Sequence, residues 1–424
     1  MPKESTLEQV LAMIRPGDVV VTSLLAMEPV SFLEQAHFAA DHQTPFTLWH
    51  SIGSKNYPFL TRENRGNIDV KSWFYNAGLR ESHRVGISSY QPTNLHDLSM
   101  RGIAELKGRV IFILSSPPMD RHGYFSSPLS LLLEREMIQR ADIVIAEINN
   151  HFPRVHGNTQ IHKNDIDYYY FVDRQIPTSS SPKPDDIDFR IGAYVSTLVE
   201  DRATIQLGIG ALPDAIAHSL YDKKDLGIHT EMITNSMVDL IEKGVVTGKY
   251  KGYQNEKIVG CFAFGEKRLY DFLDDNPSIF LQSSAEALRL ENISRNKKMT
   301  SINTCIQVDL TGQISSESIG WEQISGTGGQ HDTAYGAIHS EGGKSIIALR
   351  ATALGGTTST IVPFLSQGAA VTLGRNSIDY VVTENGIASL RGKTIRERAK
   401  SLIDIADEEH KEELMRKAKE IYYI

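Results

Sequence analysis

The sequence has little cysteine, no long apolar run and no block of like charge. Its 424 residues include two cysteines, Cys261 and Cys305, which exclude a disulfide framework, and their spacing matches no zinc motif. No apolar run reaches the roughly 20 residues that span a bilayer, and the amino-terminal stretch carries charges where a signal peptide is apolar. We therefore expect a cytoplasmic protein that contacts no membrane.

The charge balance also excludes a class of partner. The net charge is -8, and the 44 Lys and Arg residues are scattered along the chain rather than gathered into stripes. A nucleic-acid-binding protein concentrates its basic residues, so we expect no nucleic acid partner. With 41% apolar residues, a chain of this length forms more than one hydrophobic core and thus at least two domains.

Short runs rich in Val and Ile alternate with segments of helical periodicity. Such runs are typical of strands buried on both faces, and their alternation with helices predicts βαβ units. The fold class is therefore α/β, with two domains and mainly parallel sheets. Pro and Ser enrichment in "QIPTSSSPKPDDID" predicts a linker between an amino-terminal domain, residues 1–178, and a carboxy-terminal domain, residues 186–424. The predicted strands are "DVVVTSL", "RVIFILSS", "ADIVIAEI", "ATIQLGIG", "SIFLQSS", "SIIALRAT", "AAVTLGR" and "IDYVVTEN".

A glycine turn in "IQLGIGALPDAIAHSL" lies between a predicted strand and a predicted helix. A dinucleotide-binding fingerprint would need a third glycine where this chain has Pro213, which disfavours nicotinamide or flavin. A tight turn without a ligand and a loop that presents backbone N–H groups to an anion both remain open.

Further polar and glycine-rich loops follow other predicted strands. Each by itself is typical of an ordinary turn, but several at the carboxyl edge of one parallel sheet indicate a long ligand, such as a pantetheine with its nucleotide, lying across that edge. Their candidate ligand-binding residues are Gly326, Gly328, Gly329, Gln330, Gly355, Gly356, Glu384, Asn385, Gly386 and Lys393.

Several short motifs follow one another along the chain. They are "GIGALP", "HTEM", "NTCIQVDLTGQI", "GTGGQHD" and "VTENGIASLRGKT", with "MDRHGYFS", "ADIVIAEIN" and "FPRVHG" in the amino-terminal half. As a set, they resemble the acetyl-CoA hydrolase/transferase group of class I CoA-transferases, which includes 4-hydroxybutyrate, butyrate and succinate CoA-transferases, and the resemblance covers nearly the whole chain in the expected order. It implies two α/β domains facing across a cleft, coenzyme A as substrate and carrier, no metal or prosthetic group, and a homodimer or larger homo-oligomer.

The resemblance also assigns roles to residues. It implies that Glu231, 23 residues after Gly208, is the nucleophile, with Gly208, Gly210 and Asn303 assisting as hydrogen-bond donors. Glu384 lies in an "ENG" triplet like the one around the nucleophile of ketoacid-type CoA-transferases. It lies far beyond the glycine loop, however, and we therefore place it in the CoA-binding or structural set.

The expected chemistry needs only a carboxylate. A glutamate near its ordinary pKa, about 4.3, is ionised at neutral pH and attacks a thioester carbonyl without a general base. We expect a ping-pong transfer of CoA from an acyl-CoA to a short-chain acid of the 4-hydroxybutyrate, butyrate or acetate type, through an acyl-glutamyl anhydride and a glutamyl-CoA thioester. The alternatives are an acyl-CoA hydrolase using the same glutamate, a transferase for a dicarboxylate such as itaconate or succinate, and a silent CoA-binding protein.

Overall fold

Two compact units make up the protein, which a computed structural model describes over residues 1–40 and 44–424. The first unit is Met1–Ser179 together with Val259–Ala287, and the second is Ser180–Ile258 together with Leu288–Ile424. The first crossing between units falls within residues 173–185, which form neither helix nor strand. Each domain is predicted from the sequence as one continuous stretch, whereas in the structure Val259–Ala287 returns to the first unit.

The first unit is built on an eight-stranded sheet in which all seven strand pairs are parallel. Its central strands are continuous in Val, Ile and Leu and are fully buried, as expected of strands covered on both faces. In spatial order the strands are Lys3–Glu4, Tyr168–Val172, Ile143–Asn149, Val110–Ser116, Val19–Thr22, Phe46–Trp49, Ile68–Ser72 and Ser88–Tyr90.

Helices of the first unit are short. The α-helices are Leu7–Leu11, Val30–Gln35, Ala77–Arg84, Leu95–Asp97, Glu134–Arg140, Lys267–Leu273 and Ser284–Ala287, with a π-helix at Leu98–Gly102 and 3-10 turns at Leu25–Met27, Ala36–Ala39, Pro58–Leu60, Arg62–Asn64 and Lys163–Asp165. The remaining strands are Tyr124–Ser126, paired antiparallel with Gln160–His162, and Phe262–Ala263 and Ile279–Leu281 in the returning segment, which enters through Ile258–Gly260.

The second unit is built on a six-stranded sheet whose last strand is antiparallel. The five parallel strands end at one common edge, called the carboxyl edge below. Side chains that follow these strands therefore meet there. In spatial order the strands are Gly227–Ile228, Thr204–Leu207, Thr300–Thr304, Lys344–Ala348, Tyr380–Thr383 and Gly386–Ser389.

Helices of the second unit pack against this sheet, where Ile347 and Val381 share a buried cluster with Leu402. Two of the helices begin with capping boxes, at Asp185 and at Thr394. The α-helices are Asp186–Leu198, Ala211–His218, Asn235–Glu242, Leu290–Ser294, Gln330–Ile338, Ile395–Asp404 and Glu408–Glu420, with 3-10 turns at Leu354–Gly356 and Arg375–Ser377. The smaller strands are Met232–Ile233, Gln307–Asp309, Ile314–Ser315, Ser318–Ile319, Glu322–Gln323, Thr352–Ala353, Thr358–Ser359 and Ile361–Val362.

The α/β fold class with mainly parallel sheets is confirmed. One predicted strand is wrong. The "AAVTLGR" segment forms only an isolated bridge from Leu373 to Ile314, because Gly368, with a φ of +85°, turns the chain just before it and Val371 is half-exposed. In the described part of the chain, no helix combines the length and apolarity needed to cross a membrane.

Candidate active site

Glu231 lies at the carboxyl edge of the second sheet, in the short segment between a strand and a helix. The Gly227–Ile228 strand ends three residues earlier, and the Asn235–Glu242 helix begins four residues later. The backbone N–H of His229 continues the sheet pairing by donating to the Ile205 carbonyl at 3.1 Å. The position of Glu231 is thus set by the last sheet hydrogen bond before it.

The carboxylate of Glu231 faces the backbone of Gly329. Glu231 as a whole is half-buried, but its Oε2 is buried and accepts no hydrogen bond from the residues that the structure describes. A Cβ atom built on Gly329 would lie 2.0 Å from that oxygen. Residue 329 must therefore be glycine for the carboxylate to occupy this place.

Burial changes the acidity of this carboxyl group. It raises the pKa of Glu231 to about 7, an effect that the nearby backbone N–H of Gly329 opposes and the negative charge of Asp332 reinforces. The expectation of an ordinary glutamate pKa is therefore wrong, because the carboxylate loses its hydration in this site. At neutral pH about half of the molecules carry the ionised carboxylate.

The glycine loop connects the Thr204–Leu207 strand to the Ala211–His218 helix at the same edge. Gly210 precedes the helix with a φ of +114°, a conformation that side chains rarely adopt. Between the two glycines, the side chain of Ile209 is 59% exposed. The loop turns sharply at the edge, where its backbone N–H groups are at the start of a helix.

Asn303 belongs to a buried polar network that the sequence analysis did not predict. Its amide is paired with that of Gln206 on the neighbouring strand: Gln206 Nε2 donates to Asn303 Oδ1 at 3.2 Å, and Asn303 Nδ2 donates to Gln206 Oε1 at 3.3 Å. Asn303 Nδ2 also donates to the Ser301 hydroxyl at 2.9 Å. Gln206 and Ser301 therefore fix the orientation of the Asn303 amide. The only signal for Gln206 in the sequence is a polar residue inside an apolar strand.

The Gly326–Gln330 segment leads into the Gln330–Ile338 helix, and Gly329 is its N-cap. Thr333 Oγ1 donates to the Gly329 carbonyl at 2.9 Å and accepts from the Ser301 hydroxyl at 3.0 Å. The Asn303 network therefore connects to the glycine that faces Glu231. The side chain of Gln330 is buried, and its Nε2 donates to no described residue.

Glu384 and its neighbours also lie at the carboxyl edge, where they have structural contacts. Glu384 Oε2 accepts from the backbone N–H of Ala351 at 2.9 Å, which joins the ends of two neighbouring strands. Asn385 Nδ2 donates to the Ala406 carbonyl at 3.0 Å, and Gly386 has a φ of +145°. The sequence predicts a CoA-binding or a structural role for Glu384, and these contacts favour the structural one.

Three other predicted residues are placed differently. Gly355 and Gly356 form the exposed tip of a hairpin, with φ values of +69° and +96°. Lys393 follows the antiparallel last strand, so it lies at the opposite edge of the sheet, where its Nζ donates to the Ser401 hydroxyl at 3.1 Å. The structure brings Glu231 together with Gly329, and it separates Lys393 from them.

The first unit holds a second set of buried titratable groups that the sequence did not indicate. Both carboxylate oxygens of Glu28 accept from the backbone N–H of Ser54, at 3.1 and 3.2 Å, and burial raises the pKa of Glu28 to about 7. His50 Nδ1 lies 3.0 Å from the Thr22 hydroxyl, and burial lowers the His50 pKa to about 3. These groups lie at the ends of the central strands of this unit.

Comparisons with known proteins identify the class. The acetyl-CoA hydrolase/transferase N-terminal domain matches residues 22–179, and the C-terminal domain of the same family matches residues 265–418. A 4-hydroxybutyrate coenzyme A transferase of Clostridium kluyveri is 39% identical, over 98% of this chain and 96% of its own. A succinyl-CoA:cyclohexane-1-carboxylate CoA transferase of Geobacter metallireducens is 37% identical, over 96% and 93%.

A solved structure agrees with these relatives. RipA from Yersinia pestis is 31% identical and superposes with a TM-score of 0.94, covering 100% of this chain and 98% of its own. Fold and relatives together define a CoA-transferase. The chain belongs to the acetyl-CoA hydrolase/transferase family.

Proposed function

We propose that this enzyme moves CoA from an acyl-CoA to a short-chain carboxylic acid of the 4-hydroxybutyrate, butyrate or acetate type, with Glu231 as the nucleophile. The observation that carries the proposal is the Glu231 carboxylate, buried at the carboxyl edge against Gly329 and free of hydrogen bonds to any described residue at Oε2. A carboxylate in this state is available for bond formation, whereas Glu384 is engaged with the Ala351 N–H.

The reaction runs through two kinds of covalent intermediate, an acyl-glutamyl anhydride, formed with each acid in turn, and a glutamyl-CoA thioester. The Glu231 carboxylate attacks the thioester carbonyl, the carbon–sulfur bond breaks, and an acyl-glutamyl anhydride and CoA thiolate form. The thiolate attacks the glutamyl carbonyl of the anhydride, which releases the first acid and leaves CoA on Glu231 as a thioester. The second acid attacks this thioester and displaces the thiolate, which then takes the new acyl group and restores the carboxylate. No water enters, so the thioester energy is retained.

Each attack passes through a tetrahedral oxyanion that needs donors. We assign the backbone N–H groups of the Gly208–Gly210 loop to this task. Removal of one such donor in other enzymes lowers the rate by about 10²–10³-fold. Both N–H groups of the Asn303 amide already donate, to Gln206 Oε1 and to the Ser301 hydroxyl, so we assign Asn303 a positioning role. It acts through Ser301 and Thr333 on Gly329, whose carbonyl accepts from the Thr333 hydroxyl.

Coenzyme A would lie along the carboxyl edge, beside Gly326–Gln330 and the Glu384–Gly386 turn. The exposed hairpin tip at Gly355 and Gly356 is a further contact that we assign to it. We leave Lys393 out of this set because it lies at the opposite edge of the sheet. The names of the relatives include different acids, 4-hydroxybutyrate in one, and succinate and cyclohexane-1-carboxylate in another. The short-chain acid of this proposal is supported by the first of these and by a butyryl-CoA:acetate CoA-transferase.

The test is a trapping experiment on the whole protein. Enzyme mixed with butyryl-CoA is treated with borohydride, digested and analysed by mass spectrometry, in parallel with Glu231→Gln. We expect a CoA adduct or its reduced product on the peptide that contains Glu231, absent from the variant, and a loss of turnover of at least about 10³-fold. An adduct on the Glu384 peptide, or no adduct with any acyl-CoA, contradicts the proposal.

A second measurement separates the transferase from a hydrolase with the same nucleophile. Free CoA is followed with butyryl-CoA alone and after addition of acetate. Without an acceptor, a transferase releases butyrate only to the level of one enzyme equivalent and keeps the CoA on Glu231, so no free CoA accumulates. It forms acetyl-CoA when acetate is present. Continuous release of CoA without acetate, unchanged by its addition, assigns the enzyme as a hydrolase instead.

A further inference from the structure

Lys251 is a buried lysine that the reaction described above does not use. Its side chain lies in the interior of the second unit, and the residue is only 4% exposed. Lysine is almost never fully buried unless its ammonium is paired. Here Nζ donates to two backbone carbonyls, that of Ile228 at 2.8 Å and that of Lys257 at 2.7 Å. These two hydrogen bonds therefore account for the burial of the Lys251 side chain.

The Ile228 carbonyl lies at the edge of the sheet. The Gly227–Ile228 strand is the first strand of the six, so only one of its sides pairs with a neighbouring strand. The N–H groups of Gly227 and His229 donate toward that neighbour, to Ala203 and Ile205, which turns the carbonyl of Ile228 outward. Lys251 Nζ thus satisfies a carbonyl that the sheet leaves without a strand partner.

The segment that carries Lys251 runs along this outer edge. It first pairs with the strand through Leu226, whose N–H donates to Val245 and whose carbonyl accepts from Thr247, both at 2.9–3.0 Å. It then forms a loop that is closed at its base by Glu256 N–H and the Gly248 carbonyl, at 3.0 Å. The second acceptor of Lys251, Lys257, lies at the end of this loop.

Two further features fit the lysine to the strand. A Cβ atom on Gly227 would lie 2.5 Å from Lys251 Cγ and 2.9 Å from Cδ, so the lysine chain crosses the strand at the one place where no side chain blocks it. The ring of Tyr253 on the same loop meets the ring of His229 edge-on, with centroids 5.8 Å apart. The loop therefore contacts both residues that follow Gly227: Lys251 binds the Ile228 carbonyl, and Tyr253 packs against His229.

We propose that Lys251 is a positioning residue for Glu231 and acts through the backbone carbonyl of Ile228. Gly227, which has no side chain, leaves the space in which the lysine side chain crosses the strand. Two residues lie between Ile228 and Glu231, and the carboxylate of Glu231 lies so close to Gly329 that a Cβ atom there would be 2.0 Å from Oε2. Fixing the edge strand just before Glu231 fixes that placement. The proposal rests on Glu231 being the nucleophile.

The two hydrogen bonds from Lys251 Nζ to the Ile228 and Lys257 carbonyls do not depend on the charge of the lysine. Burial lowers the pKa of Lys251 to about 7. The ammonium has three N–H donors and the neutral amine has two, and both forms supply the two carbonyls.

The experiment compares Lys251→Met with Lys249→Met, the same change at an exposed lysine of the same loop. For Lys251→Met we expect kcat with butyryl-CoA and acetate to fall about 10- to 100-fold, since a displacement of about 1 Å costs up to 10² in rate. KM for the acyl-CoA should stay within about twofold. Backbone hydrogen exchange should accelerate in peptides covering residues 226–234, a readout that needs no catalysis.

Distinct outcomes separate the two proposals. If kcat of Lys251→Met stays within about twofold of the Lys249→Met value, at a temperature where both are folded, Lys251 has only a structural role and this inference is overturned. If wild-type enzyme forms no adduct on Glu231, the proposed function fails instead. Should Lys251→Met not fold, Gly227→Ala decides: it keeps the amine but displaces its chain, and must lower kcat by the same 10- to 100-fold.

Discussion

Gly329→Ala is the substitution that tests the candidate active site most directly. The backbone of Gly329 has a φ of −92°, which any residue adopts, so alanine adds no backbone strain. Its Cβ would lie 2.0 Å from Glu231 Oε2 and 3.3 Å from Leu288 Cδ1. Since such contacts are essentially never shorter than 3.0 Å, the carboxylate has to move by about 1 Å.

That displacement sets the expected magnitude. Moving a reacting group by about 1 Å costs about 10² in rate, which corresponds to about 2.7 kcal/mol of transition-state free energy. We expect kcat of Gly329→Ala with butyryl-CoA and acetate to fall by about 10²-fold, and the rate of adduct formation on Glu231 to fall with it. The thermal unfolding temperature should change little by comparison, because the moved group is a side chain.

A matched control is Gly374→Ala in the same unit. A Cβ atom there meets no atom within 4 Å, and the backbone φ of −70° is ordinary. This variant should keep wild-type kcat. If Gly329→Ala also keeps kcat within about threefold of wild type, the carboxylate does not react from the position seen here, and the reasoning is refuted.

Three further predictions follow from burial and hydrogen bonding. Because the Glu231 pKa is about 7 and the ionised form reacts, kcat/KM should fall tenfold per pH unit below pH 7 and level off above it, in a stopped assay from pH 5 to 9. The Glu28 pKa is raised from 4.5 to about 7, so ionisation of Glu28 reduces the stability of the folded protein progressively from pH 4.5 to 7. In urea titrations, Glu28→Gln should therefore raise the unfolding free energy at pH 8 by up to about 3 kcal/mol and change it little at pH 4.5. Glu384→Ala leaves the Ala351 N–H without its acceptor and should cost about 1–3 kcal/mol of stability while the Glu231 adduct still forms.

Much of the second unit could be predicted from local patterns. The strand before the glycine loop and the helix after it follow from Val and Ile content and helical spacing, and they appear as Thr204–Leu207 and Ala211–His218. The parallel order then places Glu231 at the carboxyl edge. These features are local in sequence, so apolar periodicity is enough to find them.

The contacts of the site were beyond such patterns. The meeting of Glu231 with Gly329 joins residues about a hundred positions apart, and so does the pairing of Gln206 with Asn303. Periodicity says which residues are buried, but not which buried residues touch. The raised pKa of Glu231 followed from the same long-range packing, which is why an ordinary value was expected from the sequence.

A pKa of about 7 suits a carboxylate nucleophile better than the ordinary value. At pH 7 it leaves half of the enzyme in the neutral form, which costs a factor of two in rate. In return the ionised form has lost hydration that an exposed carboxylate must shed before it attacks, and its greater basicity favours bond formation. Further burial would lower the rate, because each added pKa unit reduces the fraction of ionised carboxylate at pH 7 about tenfold. Gly329 governs this compromise, since it admits the carboxylate to the buried site while its N–H lowers the pKa.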